Sequence, residues 1–190
     1  MPGAGGVSTQ TAELAALGAK IILHIGTAGL IGKELPEDKL IISISSYKDG
    51  AAVLLSKDLN GRVNKISYPD KRLVKLLIKN NSDTAIEATG YTIPIFYYQP
   101  QNLLKKIVLD GSLNCLPKIG YIEMEQSSFF ETCQLAKTRC ASIVIGSDRT
   151  IIENSQIIRN YFKQDIRLRK IDMLKMALEV FRKTEKQKEN

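Results

Sequence analysis

The stretch Lys20-Ile21-Ile22-Leu23-His24-Ile25-Gly26 decides the fold class of this chain. Its nearly continuous run of aliphatic residues, most of them β-branched, predicts a strand buried on both faces, as is typical of parallel sheets. The small residues Gly26-Thr27-Ala28-Gly29 follow and predict a tight turn at the end of that strand. His24 lies within the predicted strand, where a lone histidine is more often a hydrogen-bonded core residue than a catalyst.

Strands and helices alternate on both sides of this stretch. Further strands are predicted at residues 40–45, 85–89, up to 122 and 141–146, and helices at residues 8–18, after 70, at 103–108, 129–135 and 171–181. In the last helix, Ile171, Leu174, Leu178 and Phe181 recur at helical spacing, which predicts a stripe facing the core. The alternation predicts a three-layer α/β sandwich with a mostly parallel or mixed central sheet, formed by residues 1–190 as one domain.

The composition is that of a globular chain with a basic bias. It has 190 residues and a formal net charge of +7. Because the basic carboxyl-terminal region has no interleaved aromatic residues to stack bases, we expect no nucleic-acid partner. No apolar run approaches the ~20 residues that span a bilayer, and the first residues lack the features of a signal peptide. We therefore expect a cytoplasmic protein without membrane contact.

The cysteines and the histidine predict no metal site. Cys115, Cys133 and Cys140 form no Cys-x-x-Cys pair, and His24 is the one histidine of the chain. Zinc sites need several such ligands at short spacings. The three thiols are therefore expected to be reduced and mostly buried.

Polar or small residues follow three of the predicted strands, at Gly26–Gly29, at Glu123-Met124-Glu125 and at Ser147-Asp148-Arg149. In open α/β sheets, ligands bind at the carboxyl ends of strands, so these segments predict a binding site. Small residues after a strand are, however, usually only a tight turn.

The two acids of Glu123-Met124-Glu125 allow two interpretations. Strand alternation would place both carboxylates on one face, where one of them can accept two vicinal sugar hydroxyls. Alternatively, the segment is a solvated junction with an acid near a helix amino terminus. Asp148 is equally open, since it can be a general acid or the N-cap of a segment that starts at Thr150.

In their order and spacing, these segments resemble the nucleoside phosphorylase superfamily of purine and uridine phosphorylases. The resemblance is carried by Gly3-Ala4-Gly5-Gly6-Val7-Ser8, Ile25-Gly26-Thr27-Ala28-Gly29, Ile122-Glu123-Met124-Glu125 and Val144-Ile145-Gly146-Ser147-Asp148. It implies a phosphorylase-type fold. Family members begin with several dozen further residues, which contain a sheet strand and a phosphate loop.

The resemblance also implies roles in binding sugar and phosphate. Thr27 would contact phosphate with help from the Gly26 backbone, and His24 occupies the position where phosphorylases usually have a phosphate-binding arginine. Glu125 would bind the ribose 2′ and 3′ hydroxyls, with Met124 packed under the sugar and Glu123 nearby.

A second group of residues would contact the base. Ala28 and Gly29 would lie beside it, while Tyr91 and Phe96 fall where purine-type and uridine-type members, respectively, stack an aromatic ring. Asp148 matches the acid that protonates a purine leaving group, and Arg167 is the nearest basic candidate to assist it.

The implied reaction is phosphorolysis of a purine or uridine nucleoside to free base and ribose 1-phosphate, as in nucleoside salvage. Phosphate is the co-substrate, no other cofactor is expected, and the family predicts a homo-oligomer, either a dimer or a hexamer. Two alternatives stay open: a nucleosidase that uses water instead of phosphate, and a catalytically inactive nucleoside-binding or scaffold protein.

Overall fold

The computed structural model describes residues 3–48, 52–55, 65–95, 99–110, 117–163 and 165–186. Its strands are β1 (Ile21–Ile31), β2 (Leu40–Tyr47), β3 (Ile66–Ser67), β4 (Ala85–Thr92), β5 (Ile119–Glu123), β6 (Arg139–Glu153) and β7 (Gln156–Tyr161). Its main helices are α1 (Ala4–Ala16), α2 (Lys71–Asn80), α3 (Gln101–Asp110), α4 (Gln126–Leu135) and α5 (Ile166–Lys186).

The strands form one mixed seven-stranded sheet in the order β3-β2-β4-β5-β1-β6-β7. β1 runs parallel to β6, and β4 runs parallel to β2 and β5, whereas β1–β5 and β2–β6 are antiparallel. The extra pairing of β2 with β6 closes β2, β4, β5, β1 and β6 into a ring. The predicted α/β fold with a mixed sheet is confirmed, whereas the closure was not visible in the sequence.

Two strands continue past the ends predicted for them. β1 continues through Gly26–Gly29 to Ile31, and β6 continues through Ser147-Asp148 to Glu153. The two strands pair with each other along this whole length, so the small residues are held in a ladder. Because Asp148 lies within β6, it is not the N-cap of a following helix.

The amino-terminal helix also starts earlier than predicted. α1 begins at Ala4 after Gly3, whose φ of 95° favours glycine. Ser8 is not its cap, because the Ser8 hydroxyl donates to the Ala4 carbonyl within the first turn.

The carboxyl-terminal helix turns a different face to the core than predicted. Met173, Met176, Ala177 and Val180 are buried in the largest core cluster. Ile171, Leu174 and Leu178 are 49%, 52% and 48% exposed. The prediction was wrong because α5 has apolar residues on two arcs, and periodicity alone does not decide which arc meets the sheet.

A β-hairpin that was not predicted from the sequence joins β6 to β7. Asn154 and Ser155 form its two-residue turn, with φ values of 49° and 64°. Positive φ at both central positions is the geometry of tight hairpin turns, and asparagine tolerates it well. The hairpin sets Arg159 of β7 opposite Thr150 of β6.

Candidate active site

One cleft of about 250 Å³ collects most of the predicted site residues. Its walls come from β1, the junction of β5 with α4, the middle of β6, and β7. The lining residues are Thr27, Ala28, Gly29, Ile93, Gln99, Ile122, Glu123, Met124, Glu125, Ser147, Asp148, Thr150 and Arg159.

Asp148 forms a buried ion pair on one wall of the cleft. It is 1% exposed; its Oδ2 accepts from Arg159 Nε at 2.5 Å, and its Oδ1 accepts from the Ser147 hydroxyl at 2.7 Å. The Asp148 carboxylate raises the pKa of Arg159 above its ordinary value. The guanidinium therefore holds the Asp148 carboxyl group in place through a charge-assisted hydrogen bond.

A β-bulge aims Asp148 into this position. Ala28 pairs with Gly146 and Gly29 pairs with Asp148, so Ser147 is an extra residue in β6. A Cβ on Gly29 would lie 3.0 Å from Asp148 Oδ2. Glycine at position 29 therefore makes room for the carboxylate beside the cleft.

Glu123 is a buried acid that fixes the start of α4. It is 4% exposed, and its Oε2 accepts the backbone N–H groups of Glu125 and Gln126, both at 2.6 Å. Its Oε1 accepts from the Thr92 hydroxyl at 2.5 Å. Burial raises the pKa of Glu123 to about 7. This carboxyl group is thus already occupied by protein donors.

Glu125 is the acid that remains available to a ligand. β5 ends at Glu123 and Glu125 is the N-cap residue of α4, so strand alternation does not relate the two side chains as predicted. Glu125 Oε1 accepts from the Gly3 N–H at 2.6 Å. Among the described residues, none donates a hydrogen bond to its Oε2, and this atom can accept hydroxyl donors from a ligand.

The predicted phosphate residues are only partly in the cleft. Thr27 lines it, whereas His24 and Gly26 do not. His24 Nδ1 lies 2.8 Å from the Ser142 hydroxyl, and burial lowers the pKa of this histidine to about 4. His24 is therefore neutral near pH 7. Of the described residues that line the cleft, only Arg159 is basic, and it is paired with Asp148.

Tyr91, predicted to stack on the base, and Arg167, predicted to assist Asp148, do not line the cleft. Tyr91 is buried in the core, with its ring centroid 6.0 Å from that of Tyr47. Arg167 is exposed and pairs with Asp165. The basic partner of Asp148 is Arg159 and not Arg167 as predicted. Phe96 lies outside the described residues, as does Cys115; Cys133 and Cys140 are free, buried thiols, as predicted.

Arg159 could have been found from the sequence. The Asn154-Ser155 pair between two isoleucine-containing segments is a hairpin signal, and a hairpin there returns Arg159 to the level of Thr150. By contrast, no local pattern marks Thr92 as the partner of Glu123, since these two residues are 31 positions apart.

Two further features bear on the kind of site. In the described part of the chain, no helix combines the length and the apolar character that a membrane crossing requires. Nor do the residues that the structure covers bring three or more His, Cys, Asp or Glu side chains together as a metal-binding group.

Similarity to known proteins agrees with this architecture. AMP nucleosidase from Bacteroides thetaiotaomicron VPI-5482 has the same fold, with a TM-score of 0.73 and 14% sequence identity over 100% of this chain and 71% of that chain. No curated protein matches the sequence. The family model described as the Phosphorylase superfamily matches residues 1–182. This chain therefore belongs to the phosphorylase superfamily.

Proposed function

We propose that this protein cleaves the N-glycosidic bond of a nucleoside, with phosphate as the acceptor of the ribosyl group. The observation that supports this most is the presence in one cleft of two acids with different hydrogen-bond partners. Glu125 has a carboxylate oxygen free for hydroxyl donors, while Asp148 is locked to Arg159 on a separate wall. A ribose and a base need these two kinds of contact at once.

The sugar end of the cleft is built around Glu125. A carboxylate can accept both vicinal hydroxyls of a ribose through charge-assisted hydrogen bonds. Met124 lines the same part of the cleft and offers apolar contact to the sugar ring. Such contacts hold the sugar while C1′ gains positive charge, as in glycoside cleavage.

The base end is built around Asp148 and Arg159. Negative charge develops on the base as the glycosidic bond breaks, and a fixed guanidinium stabilises it. Asp148 would act as the general acid: its carboxylic acid form gives its proton to a base nitrogen as the glycosidic bond breaks, and the resulting carboxylate stays held by Arg159. Asp148 favours a purine, whose ring nitrogens can be protonated as the base leaves.

Water is a second candidate acceptor, and the electrostatics of the cleft support it. Phosphate binding is strongest where arginine or lysine is available. The described cleft residues offer only Arg159, already paired, and a neutral His24 lies outside the lining. The structural neighbour is itself a nucleosidase by name, and hydrolysis needs no anion subsite.

The two acceptors are separated by incubating the chain with inosine, adenosine and uridine, with and without phosphate. Base and sugar products are measured by chromatography. Release that requires phosphate and yields ribose 1-phosphate supports the first proposal, whereas release of base and free ribose without phosphate supports the second. If no nucleoside is cleaved or raises the melting temperature, the proposed site is wrong.

Variants connect the reaction to the two acids. Asp148→Asn should lower base release about 10²- to 10⁴-fold, the usual contribution of a general acid. Glu125→Gln should weaken nucleoside binding about 10- to 100-fold, because it removes a charged acceptor. Glu153→Gln, an exposed acid at the end of β6, is the matched control. Equal loss in all three variants would contradict the assignment.

A further inference from the structure

The β6–β7 hairpin places four side chains on one of its faces. In an antiparallel ladder, residues directly opposite each other share a face, and so do residues two apart on one strand. Tyr161 lies opposite Asp148, and Arg159 lies opposite Thr150. Three of these residues line the cleft, whereas Tyr161 lies outside the lining at the end of β7. Tyr161 therefore borders the base end of the proposed site.

Arg159 is held from two sides. Its Nε donates to Asp148 Oδ2 at 2.5 Å, and its guanidinium carbon lies over the ring of Tyr161, 5.4 Å from the ring centroid. That distance is within the about 6 Å at which an aromatic face attracts a cation. Because the Arg159 side chain is 30% exposed, it retains room to move, and the contact with the ring restricts the rotamers that it adopts.

The backbone that carries Tyr161 is fixed, although the residue is 68% exposed. Tyr161 pairs with Asp148 in the ladder. The next residue, Phe162, donates its N–H to the Ser147 carbonyl at 3.0 Å, and its ring packs against the core cluster that contains Leu30. The ring of Tyr161 is therefore presented from a firmly attached end of the hairpin.

The hairpin uses an aromatic ring against an arginine a second time. The Arg149 guanidinium carbon lies 5.7 Å from the centroid of the Phe162 ring, and the same guanidinium donates to the carbonyls of Gly32 and Leu35, both at 2.7 Å. Adjacent aromatic residues at the end of the hairpin thus each contact one arginine. An aliphatic side chain in either position would offer contact without attraction to the charge.

We infer that Tyr161 is a positioning residue of the base end, because its ring holds the Arg159 guanidinium in the orientation that meets Asp148. This inference rests on the proposed function, in which Asp148 gives a proton to the base and Arg159 holds the resulting carboxylate. Arg159 and Ser147 are the two side-chain donors to Asp148 among the described residues. A general acid is effective when it is held at the reacting atom, so an Arg159 that moves away makes proton transfer slower.

Variants of Tyr161 separate the ring from its hydroxyl group. Base release is measured with whichever of inosine, adenosine and uridine is cleaved. Tyr161→Phe keeps the ring and should match the wild type, whereas Tyr161→Leu should lower kcat about 2- to 5-fold, the effect of an exposed cation–π contact, with KM unchanged. Tyr68→Leu is the matched control, since Tyr68 is 55% exposed and does not line the cleft.

A double-mutant cycle tests whether Tyr161 acts through Arg159. In an Arg159→Gln background, Tyr161→Leu should cause no further loss of kcat. An equal loss in both backgrounds would overturn the inference, since Tyr161 would then support the fold without acting on Arg159. A Tyr161→Phe variant that loses as much as Tyr161→Leu would overturn it as well, because the ring alone would not be sufficient.

Nuclear magnetic resonance of arginine Nε–H groups gives a readout that needs no turnover. The signal of Arg159, assigned by its loss in Arg159→Gln, should exchange with solvent about 2- to 5-fold faster in Tyr161→Leu, and at the wild-type rate in Tyr161→Phe and Tyr68→Leu. Unchanged exchange in Tyr161→Leu overturns the inference, and so does faster exchange with unchanged kcat. If no nucleoside is cleaved, the proposed function fails, and the exchange rates alone decide whether Tyr161 positions Arg159.

Discussion

Replacing Glu123 by glutamine should change how the stability of the fold responds to pH. In the folded chain the pKa of Glu123 is raised by burial to about 7 from an ordinary value of 4.5. Between these values the folded state holds a proton that the unfolded state releases. The free energy of unfolding therefore falls as pH rises from 4.5 to 7, by about 3 kcal/mol at about 1.4 kcal/mol per pKa unit.

The hydrogen bonds of Glu123 accommodate either protonation state. When ionised, the carboxylate accepts from Thr92; when protonated, it can donate to Thr92 Oγ1, which in turn can donate to Ser46 Oγ at 3.0 Å. The backbone donors of Glu125 and Gln126 stay paired with Oε2 in both states. A glutamine keeps one oxygen acceptor there and cannot ionise.

His24 has a titration of opposite sign in nearly the same range. Burial lowers its pKa from 6.5 to about 4, so the folded state resists protonation and loses stability as pH falls from 6.5 to 4. In the wild type the two effects oppose each other and flatten the profile. Glu123→Gln should expose the histidine slope, and His24→Asn should expose the glutamate slope.

Urea unfolding followed by circular dichroism, repeated from below pH 4.5 to above pH 7, measures these slopes. The stability of Glu123→Gln relative to wild type should rise by about 3 kcal/mol as pH increases across this range. The comparison uses the difference in slope between the two proteins and not the absolute stability of the variant at acidic pH. A pH-independent difference between the two proteins would refute the buried, proton-binding role of Glu123.

Three other changes test the packing that supports the site. Gly90→Ala should lower stability by about 1–3 kcal/mol, since its Cβ would lie 2.6 Å from the buried ring of Tyr121; Gly5→Ala, with no neighbour within 4 Å, should instead be neutral or stabilising in urea unfolding. Asp70→Ala should cost about 0.5–2 kcal/mol, because Asp70 Oδ1 caps α2 through the N–H groups of Arg72 and Leu73; an unchanged urea midpoint would contradict this. Lys48→Met should lower the free energy of unfolding by about 3–5 kcal/mol, because it leaves the buried Glu131 carboxylate without its partner; the two side chains are each 3% exposed. Adding Glu131→Leu should recover much of that loss. If it recovers none, the loss does not come from an uncompensated buried charge.

Most residues that line the cleft were predicted from the sequence, whereas the hydrogen bonds and ion pairs that position them were not. Local patterns located the cleft because apolar runs mark strands and the unusual residues lie within or directly after them. The same patterns misplaced the ends of β1 and β6, since a strand can continue through small residues when a long neighbour pairs with it. The bulge that aims Asp148 depends on that pairing and leaves no mark in either segment alone.

The face of α5 and the partner of Asp148 were missed for a related reason. Helical periodicity gives two apolar arcs in α5, and only the tertiary contacts show that Met173 and Val180 meet the sheet. Arg167 was chosen for Asp148 by spacing, whereas the hairpin brings Arg159, eleven residues away, to 2.5 Å. The residues that meet in the cleft were predicted correctly, whereas the buried face of α5 and the partner of Asp148 are set by tertiary contacts that the local patterns do not contain.

Glu123 and Glu125 show how strongly position decides the role of a side chain. They are two residues apart, yet β5 ends between them and their surroundings differ completely. Glu123 binds three protein donors and holds the start of α4, which sets the position of Glu125. The proposed sugar end of the cleft is therefore built on a fixed support. The opposite end, at Thr27, lies on β1, where a neutral His24 supplies no charge.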